Sequence, residues 1–387
     1  MTDKPRLLYL VNIPRFFVTH RLPLARAARA AGYDVHVATA SEANGDQANI
    51  DIIRAEGFPF HPLPLSQHGM NPLQEARTLA AILRLYRDLQ PDLVHMVTIK
   101  AVIYGGLAAR IARVPALVYA ITGLGYLYSE SGLKVTLART GANIAFRLAL
   151  GHPNARLIFQ NPDDRALFVQ NRLIDETRTQ VIKGSGVDMD VFHPEPEADG
   201  TPVVLFAGRL LWKKGLGIFV DAAECLKKAG VNARFVVVGY PEPSSPAAVP
   251  LSQLETWAQQ GLIEWWGKRD DMPAVFAASH IVCLPSSYGE GIPKVLIEAA
   301  ACGRAIVTTD TPGCREITRQ GENGLLVPKD DPAALADAIR QLVEDAPLRQ
   351  AMGARGRQIA AGEFSETQVF NELFSLYRVL LNQGKPM

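Results

Sequence analysis

The chain's most constraining feature is a series of short apolar runs that alternate with longer helical patterns. The runs are continuously apolar rather than alternately apolar and polar, which is typical of parallel strands covered by helices on both faces. Two such series predict an α/β protein with two doubly wound, Rossmann-like parallel sheets. The predicted strands are residues 7–11, 35–39, 93–97, 117–121, 157–159 and 181–182, and then 203–207, 235–238, 263–266, 281–284, 305–308 and 325–327.

A polar, proline-rich stretch separates the two series. Within residues 188–202 it contains His-Pro-Glu-Pro-Glu and an Asp-Gly pair, with no helical or strand period. We expect a first domain at residues 1–188, a second at 189–365, and a last helix at 366–387 that crosses back to the first. Ligands of open α/β sheets bind beyond the carboxyl ends of the strands, so we expect the two domains to face a ligand-binding cleft.

Charge and cysteine content argue against two kinds of function, nucleic-acid binding and metal binding by cysteines. The 387 residues carry 40 basic and 39 acidic side chains, and this balance does not favour nucleic acid as a partner. The four cysteines, Cys225, Cys283, Cys302 and Cys314, have spacings that fit no metal motif. Buried free thiols in a reducing cytoplasm are the simplest interpretation.

No targeting or membrane-spanning segment is expected. Asn12, Pro14 and Arg15 end the first apolar run well before the length of a signal-peptide core, and charged residues interrupt the longer apolar stretches. We therefore expect a cytoplasmic protein. The pattern at 132–149 interleaves basic and apolar residues, and two interpretations stay open: a helix on the inner face of the cell membrane, or an ordinary helix packed on its sheet.

Two charged segments follow predicted strands of the second domain. Arg209 and Lys214 lie on a glycine-bracketed turn after strand 203–207, and a guanidinium and an ammonium there suit a diphosphate. Glu290 lies in a glycine-flanked loop after strand 281–284, and we expect Pro293 to open a helix that carries Glu298 about a turn and a half inside it. The alternative in each case is a solvated surface segment.

Taken together, these motifs resemble the retaining glycosyltransferases of family four, which have two domains in the GT-B fold. Gly208-Arg209 with Lys214-Gly215, followed by Glu290 and Glu298, carries the resemblance. Residues 184–194 and 284–286 follow the same pattern, so it extends over nearly the whole chain. A narrower resemblance, to bacterial N-acetylhexosaminyl transferases that act on lipid-linked saccharides, rests on residues 17–23, 98–105, 122–126 and 312–316.

The resemblance implies a nucleotide-sugar donor, usually UDP-linked, bound by the second domain. The residues matching Arg209 and Lys214 would hold the diphosphate and stabilise its developing charge. The carboxylate matching Glu298 would take the ribose hydroxyls, and the one matching Glu290 would lie against the sugar.

Further contacts to the donor follow from the same resemblance. The backbone amides of Gly291 and Ile292 could add to phosphate binding at the helix start. Lys268, in the loop beyond Gly267, would lie near the base. No metal is expected, since the cations take over its role and the sequence has no Asp-x-Asp or clustered His/Cys set. Retention of anomeric configuration is also implied.

The acceptor side is expected in the first domain. His20 lies in a loop that we place at 12–21, where it could orient a hydroxyl or assist proton transfer; a structural histidine or a helix cap is the alternative. Many relatives have a histidine after the fourth predicted strand, where this chain has Thr122-Gly123-Leu124-Gly125. Gly123 could let the backbone approach the sugar, or could serve a tight turn.

The expected function is therefore transfer of a hexose or N-acetylhexosamine from a UDP-sugar to a hydroxyl of a lipid-linked (polyprenyl diphosphate) saccharide. Two other classes of protein fit the sequence less well. A nucleotide-sugar epimerase or a phosphorylase would need its own acid/base pair or a reactive lysine, and neither is evident. A non-catalytic sugar-binding scaffold could keep the fold, but the intact set Arg209, Lys214, Glu290 and Glu298 counts against it.

Overall fold

A computed structural model describes residues 4–41, 46–65, 71–124, 128, 132–242, 245 and 247–384. The chain divides into two compact units. One contains Met1–Ser185 together with Val369–Met387, and the other contains Gly186–Gln368. The first change of unit thus lies three residues before the expected boundary at 188, and the second lies three residues after 365.

The first unit is built on a seven-stranded parallel sheet in the order β3-β2-β1-β4-β5-β6-β7. Its strands are β1 (Arg6–Val11), β2 (Asp34–Ala40), β3 (Phe60–Leu63), β4 (Leu93–Val97), β5 (Ala116–Ile121), β6 (Ala155–Phe159) and β7 (Thr179–Val181). Its helices are Pro14–His20, Leu22–Ala30, Gln47–Ala55, Pro72–Leu89, Ile99–Ala112, Leu133–Ala149 and Pro162–Gln170, with a short 3₁₀ turn at Glu176–Arg178.

Both faces of this sheet are buried, which explains the continuous apolar runs. In β1, Leu8 and Leu10 belong to one core cluster, while Leu7 and Tyr9 belong to another on the opposite face. The last helix of the chain, Glu366–Gln383, completes the second cluster with Leu373, Leu376, Tyr377 and Leu380. The C-terminal segment therefore packs on the first unit.

The second unit is built on a six-stranded parallel sheet in the order β10-β9-β8-β11-β12-β13. Its strands are β8 (Val203–Ala207), β9 (Arg234–Val238), β10 (Glu264–Trp265), β11 (Ile281–Leu284), β12 (Ala305–Thr309) and β13 (Gly324–Val327). Its helices are Leu216–Lys228, Leu251–Gln259, Met272–Ala277, Lys294–Ala301, Cys314–Ile317, Pro332–Glu344 and Ala346–Ile359, with a 3₁₀ turn at Trp212–Lys214 and a π-helical turn at Ala360–Phe364.

The predicted fold class is confirmed, since the described strands form two parallel sheets with helical connections. The sequence analysis missed β3, whose Phe-His-Pro-Leu sequence is only partly buried. Pro62 is tolerated there because β3 is an edge strand paired only with β2. The expectation for the cysteines was wrong in one respect: Cys283, Cys302 and Cys314 are buried, but Cys225 is exposed.

Within the described residues, no helix is both long and apolar enough to cross a membrane.

Candidate donor and acceptor sites

The order of the strands in the second sheet reverses between β8 and β11. From β8 the chain proceeds outward through β9 and β10, and it then returns to the other side of β8 as β11. The loops that leave the carboxyl ends of β8 and β11 are therefore neighbours although they are distant in sequence. Crevices at such reversal points are where open α/β sheets bind ligands.

The loop after β8 is locked onto the loop after β11 by a glycine contact. Gly215 has φ +81°, and a Cβ atom at this position would lie 1.9 Å from the carbonyl oxygen of Pro285. The backbone N–H of Ser287 donates to the carbonyl of Lys213 at 2.9 Å. No other residue type satisfies both the left-handed backbone and this close approach. The two loops thus form one continuous surface.

The loops after β9 and β12 join the same surface. A Cβ atom on Gly239 would lie 2.1 Å from the carbonyl oxygen of Gly208, and one on Gly313 would lie 1.3 Å from that of Gly291. The hydroxyl of Thr309 donates to the carbonyl of Ser286 at 2.5 Å. Four loops at one edge of the sheet are therefore fixed by backbone contacts, and side chains on them are held in place.

Lys214 and Glu290 form an ion pair on this surface. The Nζ of Lys214 lies 2.5 Å from Oε1 of Glu290, and the two side chains are only 13% and 11% exposed. The hydroxyl of Ser286 donates to the same carboxylate oxygen at 3.2 Å. Burial acts to lower the pKa of Lys214, but the charge of Glu290 outweighs it, so the pKa is raised. Lys214 is therefore a protonated cation at neutral pH.

Tyr288 and Arg209 surround this ion pair. The ammonium of Lys214 lies 5.9 Å from the centroid of the Tyr288 ring, and burial, followed by the charge of Glu290, raises the pKa of Tyr288. Arg209 is close enough for its charge to oppose protonation of Lys214. Its side chain is 55% exposed, and its Nη1 lies 3.7 Å from Oε2 of Glu242. The structure thus brings Arg209, Lys214 and Glu290 together.

Glu298 lies in the helix after this loop and does not contact the ion pair. The helix begins at Lys294 rather than at Pro293, which is its N-cap, so Glu298 is about one turn inside and not a turn and a half. Glu298 is 8% exposed, and burial raises its pKa against the opposing charge of Lys294, whose Nζ lies 3.5 Å away. A buried carboxylate with one lysine neighbour is suited to accept hydrogen bonds from hydroxyl groups.

The remaining predicted donor residues take different positions. Gly291 and Ile292 are both buried in the loop that leads to Pro293, beside Gly313. Lys268 is 72% exposed after β10, and its Nζ lies 3.1 Å from Oδ1 of Asp270. Since β10 lies two strands away from β8, Lys268 belongs to the same edge of the sheet but to its periphery.

In the first sheet the strand order reverses between β1 and β4. His20 follows β1, but the loop expected at 12–21 is wrong, because His20 is the last residue of the helix Pro14–His20. Pro14 starts this helix, where a missing N–H costs nothing. The imidazole stacks on Phe16 with ring centroids 4.3 Å apart, and its Nδ1 lies 2.6 Å from the hydroxyl of Thr19. The half-buried side chain is thus oriented by its own helix.

Thr98 and Gly123 lie at the same edge of the first sheet. Thr98 follows β4 with φ +81° and ψ 157°, a region that non-glycine residues rarely adopt. Its buried hydroxyl has no hydrogen-bond partner in the part of the chain that the structure describes. Gly123 follows β5 with φ +130°. Gly125 lies outside the described residues. Strained backbone at a reversal point marks a candidate ligand-binding edge.

Several residues of the donor edge were not recognised from the sequence as parts of a site. They are Ser286, Tyr288, Thr309 and Gly313. In the sequence, Gly313 and Ser286 belong to segments of the family resemblance, 312–316 and 284–286, without a role of their own. The order of the strands in the sheet places the loops of these residues side by side, and the local sequence does not contain that order.

Among the described residues, no cluster of three His, Cys, Asp or Glu side chains is placed to hold a metal ion.

Comparisons with known proteins match each unit to a family. Residues 6–161 match the family described as "Glycosyl transferase 4-like", and residues 201–345 match "Glycosyl transferases group 1". An N,N'-diacetylbacillosaminyl-diphospho-undecaprenol alpha-1,3-N-acetylgalactosaminyltransferase of Campylobacter jejuni is 29% identical over 85% of this chain and 88% of its own. The capsular polysaccharide biosynthesis glycosyltransferase CapM of Staphylococcus aureus is 22% identical over 95% and 97%, respectively.

Solved structures agree on the fold. HepE of Anabaena, solved in complex with UDP and glucose, superimposes with a TM-score of 0.74 at 21% identity, over 96% of this chain and 99% of that one. A glycosyltransferase from Rickettsia africae superimposes with a TM-score of 0.77 at 17% identity, over 98% and 99%. Both sheets of the present chain therefore have counterparts in proteins of this architecture.

Proposed function

The chain belongs to the group 1 and 4-like glycosyltransferases of the GT-B fold, and from this premise we propose that its donor is a UDP-sugar and its acceptor a lipid-linked saccharide. The group transferred is a hexose or an N-acetylhexosamine, and the acceptor carries a polyprenyl diphosphate. The Campylobacter relative supports this assignment, since its name describes transfer of an N-acetylhexosamine to such a lipid.

The Lys214–Glu290 ion pair at the strand-order reversal is the observation that supports donor binding most directly. A UDP-sugar brings a diphosphate and sugar hydroxyls to one place, which require a cation beside a hydrogen-bond acceptor. Phosphate oxygens would replace Glu290 as the partner of Lys214, and Glu290 would then accept hydrogen bonds from hydroxyls of the sugar. Both groups would then be paired in the complex as they are before it forms.

Departure of the diphosphate builds negative charge on its oxygens. Lys214 is protonated, its loop is in close backbone contact with the neighbouring loop, and Arg209 lies beside it. The developing negative charge would therefore be stabilised by cations that are already in position. We therefore assign both residues to leaving-group stabilisation without a metal ion. The acceptor would attack from the face that the diphosphate leaves, and anomeric configuration would be retained.

Glu298, Gly291, Ile292 and Lys268 complete the donor site in this proposal. The buried carboxylate of Glu298 would accept hydrogen bonds from the ribose hydroxyls. Backbone groups of Gly291 and Ile292 lie at the start of the helix, where phosphate binds favourably. Lys268 would reach the base from the periphery. On the acceptor side, His20 and Gly123 would contact the hydroxyl that attacks.

A membrane-surface contact follows from a lipid-linked acceptor. In the helix Leu133–Ala149, Ile144 and Leu148 are 55% and 53% exposed, and Arg147 is exposed beside them. Exposed apolar residues next to a cation are typical of helices that lie in an anionic lipid surface. We propose that this face meets the membrane. A variant carrying Ile144→Glu and Leu148→Glu should lose sedimentation with anionic vesicles and keep activity on a water-soluble acceptor analogue.

The assay that tests the proposed activity uses a panel of nucleotide-sugars, with and without a polyprenyl diphosphate-linked saccharide, in the presence of EDTA. Acceptor-dependent release of UDP, and a product with the donor's anomeric configuration by NMR, are the expected results. An epimerase would convert the sugar without releasing UDP, and a scaffold would bind without turnover. Either of those outcomes would remove the transferase assignment.

A further inference from the structure

A small cavity lies inside the first unit, at the carboxyl edge of its sheet. Its volume is about 10 Å³, enough for one small bound species. Arg21 and His95 line it, together with Thr122, Gln160 and Gly184 and apolar side chains of β5 and β6. None of the donor-site residues takes part, and the cavity is a separate feature of the fold.

Arg21 is a buried cation without a carboxylate partner in the described part of the chain. Its side chain is 5% exposed, and its one hydrogen bond runs from Nη1 to the carbonyl of His20 at 2.9 Å. Its Nε is buried and has no hydrogen-bond partner among the residues that the structure describes. Among the described residues, the groups that favour its protonation are Tyr377 and Tyr9, and burial raises the pKa of both, so neither carries a charge at neutral pH. A buried charge left without compensation costs several kcal/mol.

His95 presents a second unpaired group to this region. Its Nδ1 lies 2.5 Å from the hydroxyl of Tyr377, which lies 3.4 Å from the hydroxyl of Tyr9. Burial lowers the pKa of His95 well below its ordinary value, so the ring is neutral. If Tyr9 donates to Tyr377 and Tyr377 donates to Nδ1, the proton of the ring lies on Nε2, which is buried and has no hydrogen-bond partner within the described ranges.

With the proton of His95 on Nε2, two N–H donors, one of them cationic, belong to side chains that line a space for a single small species. A water molecule would pair with the donors but would leave the charge of Arg21 uncompensated. We propose that the cavity is a binding site for a monovalent anion of the size of chloride, held by Arg21 and His95. Thr122, which lines the cavity from the loop before Gly123, would be a further hydrogen-bond donor.

The position of the site gives the anion a role in supporting the acceptor edge. Arg21 joins the helices Pro14–His20 and Leu22–Ala30, and its hydrogen bond holds the carbonyl of His20. An anion that fixes the guanidinium thereby fixes the turn that carries His20. The inference does not depend on the proposed glycosyl transfer, and its tests use no activity.

The direct test is anomalous diffraction from crystals of the full chain soaked in bromide. We expect a bromide peak within hydrogen-bonding distance of Arg21 Nε and His95 Nε2. A difference peak without anomalous signal would identify water only, and it would overturn the proposal, as would an empty cavity. Because wild-type protein is used, this arm does not depend on a variant that folds.

The second test compares melting temperatures in potassium chloride and potassium gluconate at equal ionic strength. Chloride should raise the melting temperature of the wild-type chain by a few degrees, since a ligand bound only by the folded state stabilises it. Arg21→Met should abolish this difference, while Arg84→Met, which changes an exposed arginine, should preserve it. An unchanged chloride response in Arg21→Met would refute the site.

Discussion

Glu290→Gln separates the two roles that the donor site gives to one carboxylate. In the structure Glu290 Oε1 lies 2.5 Å from Lys214 Nζ, so the diphosphate of the proposed donor would have to displace Glu290 before it could pair with the cation. Glutamine keeps the shape and the hydrogen bonds but removes the charge that competes for Lys214. We expect UDP itself to bind the variant more tightly, although a residue of the proposed site has been changed.

The size of the effect follows from the burial of the pair. Hydrogen bonds to charged groups contribute about 1.5–3 kcal/mol. Water reaches both partners, which are 13% and 11% exposed, and glutamine keeps part of the contact. We therefore expect a gain of about 1 kcal/mol, or roughly fivefold in the Kd of UDP. Transfer from the UDP-sugar should fall by about a hundredfold, since the sugar loses a positioning group.

Isothermal titration with UDP, and steady-state transfer with the identified UDP-sugar, measure the two quantities on the same preparations. Lys214→Met is the opposite case and should weaken UDP binding by about tenfold to a hundredfold. Lys228→Met changes the net charge equally at an exposed helical position paired with Glu224, and it should leave both quantities unchanged. Weaker binding of UDP to Glu290→Gln would refute the competition between Glu290 and phosphate.

Three further predictions test the loops, the first unit and the proposed chemistry. Gly215→Ala should destabilise the second unit by at least about 2 kcal/mol in urea unfolding, because its Cβ would meet Pro285; Gly141→Ala, in open space within a helix, should stabilise the chain by about 0.5–1 kcal/mol. The low pKa of buried His95 means that the unfolded chain binds a proton which the folded chain does not. Stability of the first unit, measured by thermal unfolding, should therefore fall as the pH drops below about 6.5, and His95→Phe should reduce this slope. Transfer activity should survive dialysis against EDTA; loss that added Mg²⁺ restores would contradict a role for Arg209 and Lys214 in place of a metal.

The positions of most strands could be predicted because both faces of each sheet are buried. Runs such as 203–207 and 281–284 are apolar throughout, and the structure has strands with the same bounds. The edge strand β3 was not predicted, because it is only partly buried and its sequence has no continuous apolar run. The prediction of a loop around His20 was wrong, because Pro14 and Arg15 suggested an interruption although Pro14 starts a helix.

The composition of the donor site was only partly predictable. Charged residues that follow apolar runs point to Arg209, Lys214 and Glu290, and the helix expected after that loop carries Glu298. Their contacts depend on β8 lying beside β11, which no local pattern contains. The sequence could not indicate that Lys214 pairs with Glu290 or that Glu298 stands apart from them. The contact of Gly313 with the carbonyl of Gly291, which brings the loop after β12 against the loop after β11, likewise depends on the order of the strands and could not be predicted from the local sequence.

Stability alone does not account for the Lys214–Glu290 ion pair. Replacing a buried pair by apolar residues of similar volume is often neutral or stabilising, so burial of two charges is weak support for a structural role. Here the pair lies where four loops are fixed by backbone contacts, and a single lysine Nζ and a single carboxylate face each other. In the proposed complex, such a pair would exchange one set of partners for another when a diphosphate and a hydroxyl arrive, without leaving a buried charge uncompensated at any stage. The proposed donor would therefore account for the resting pair.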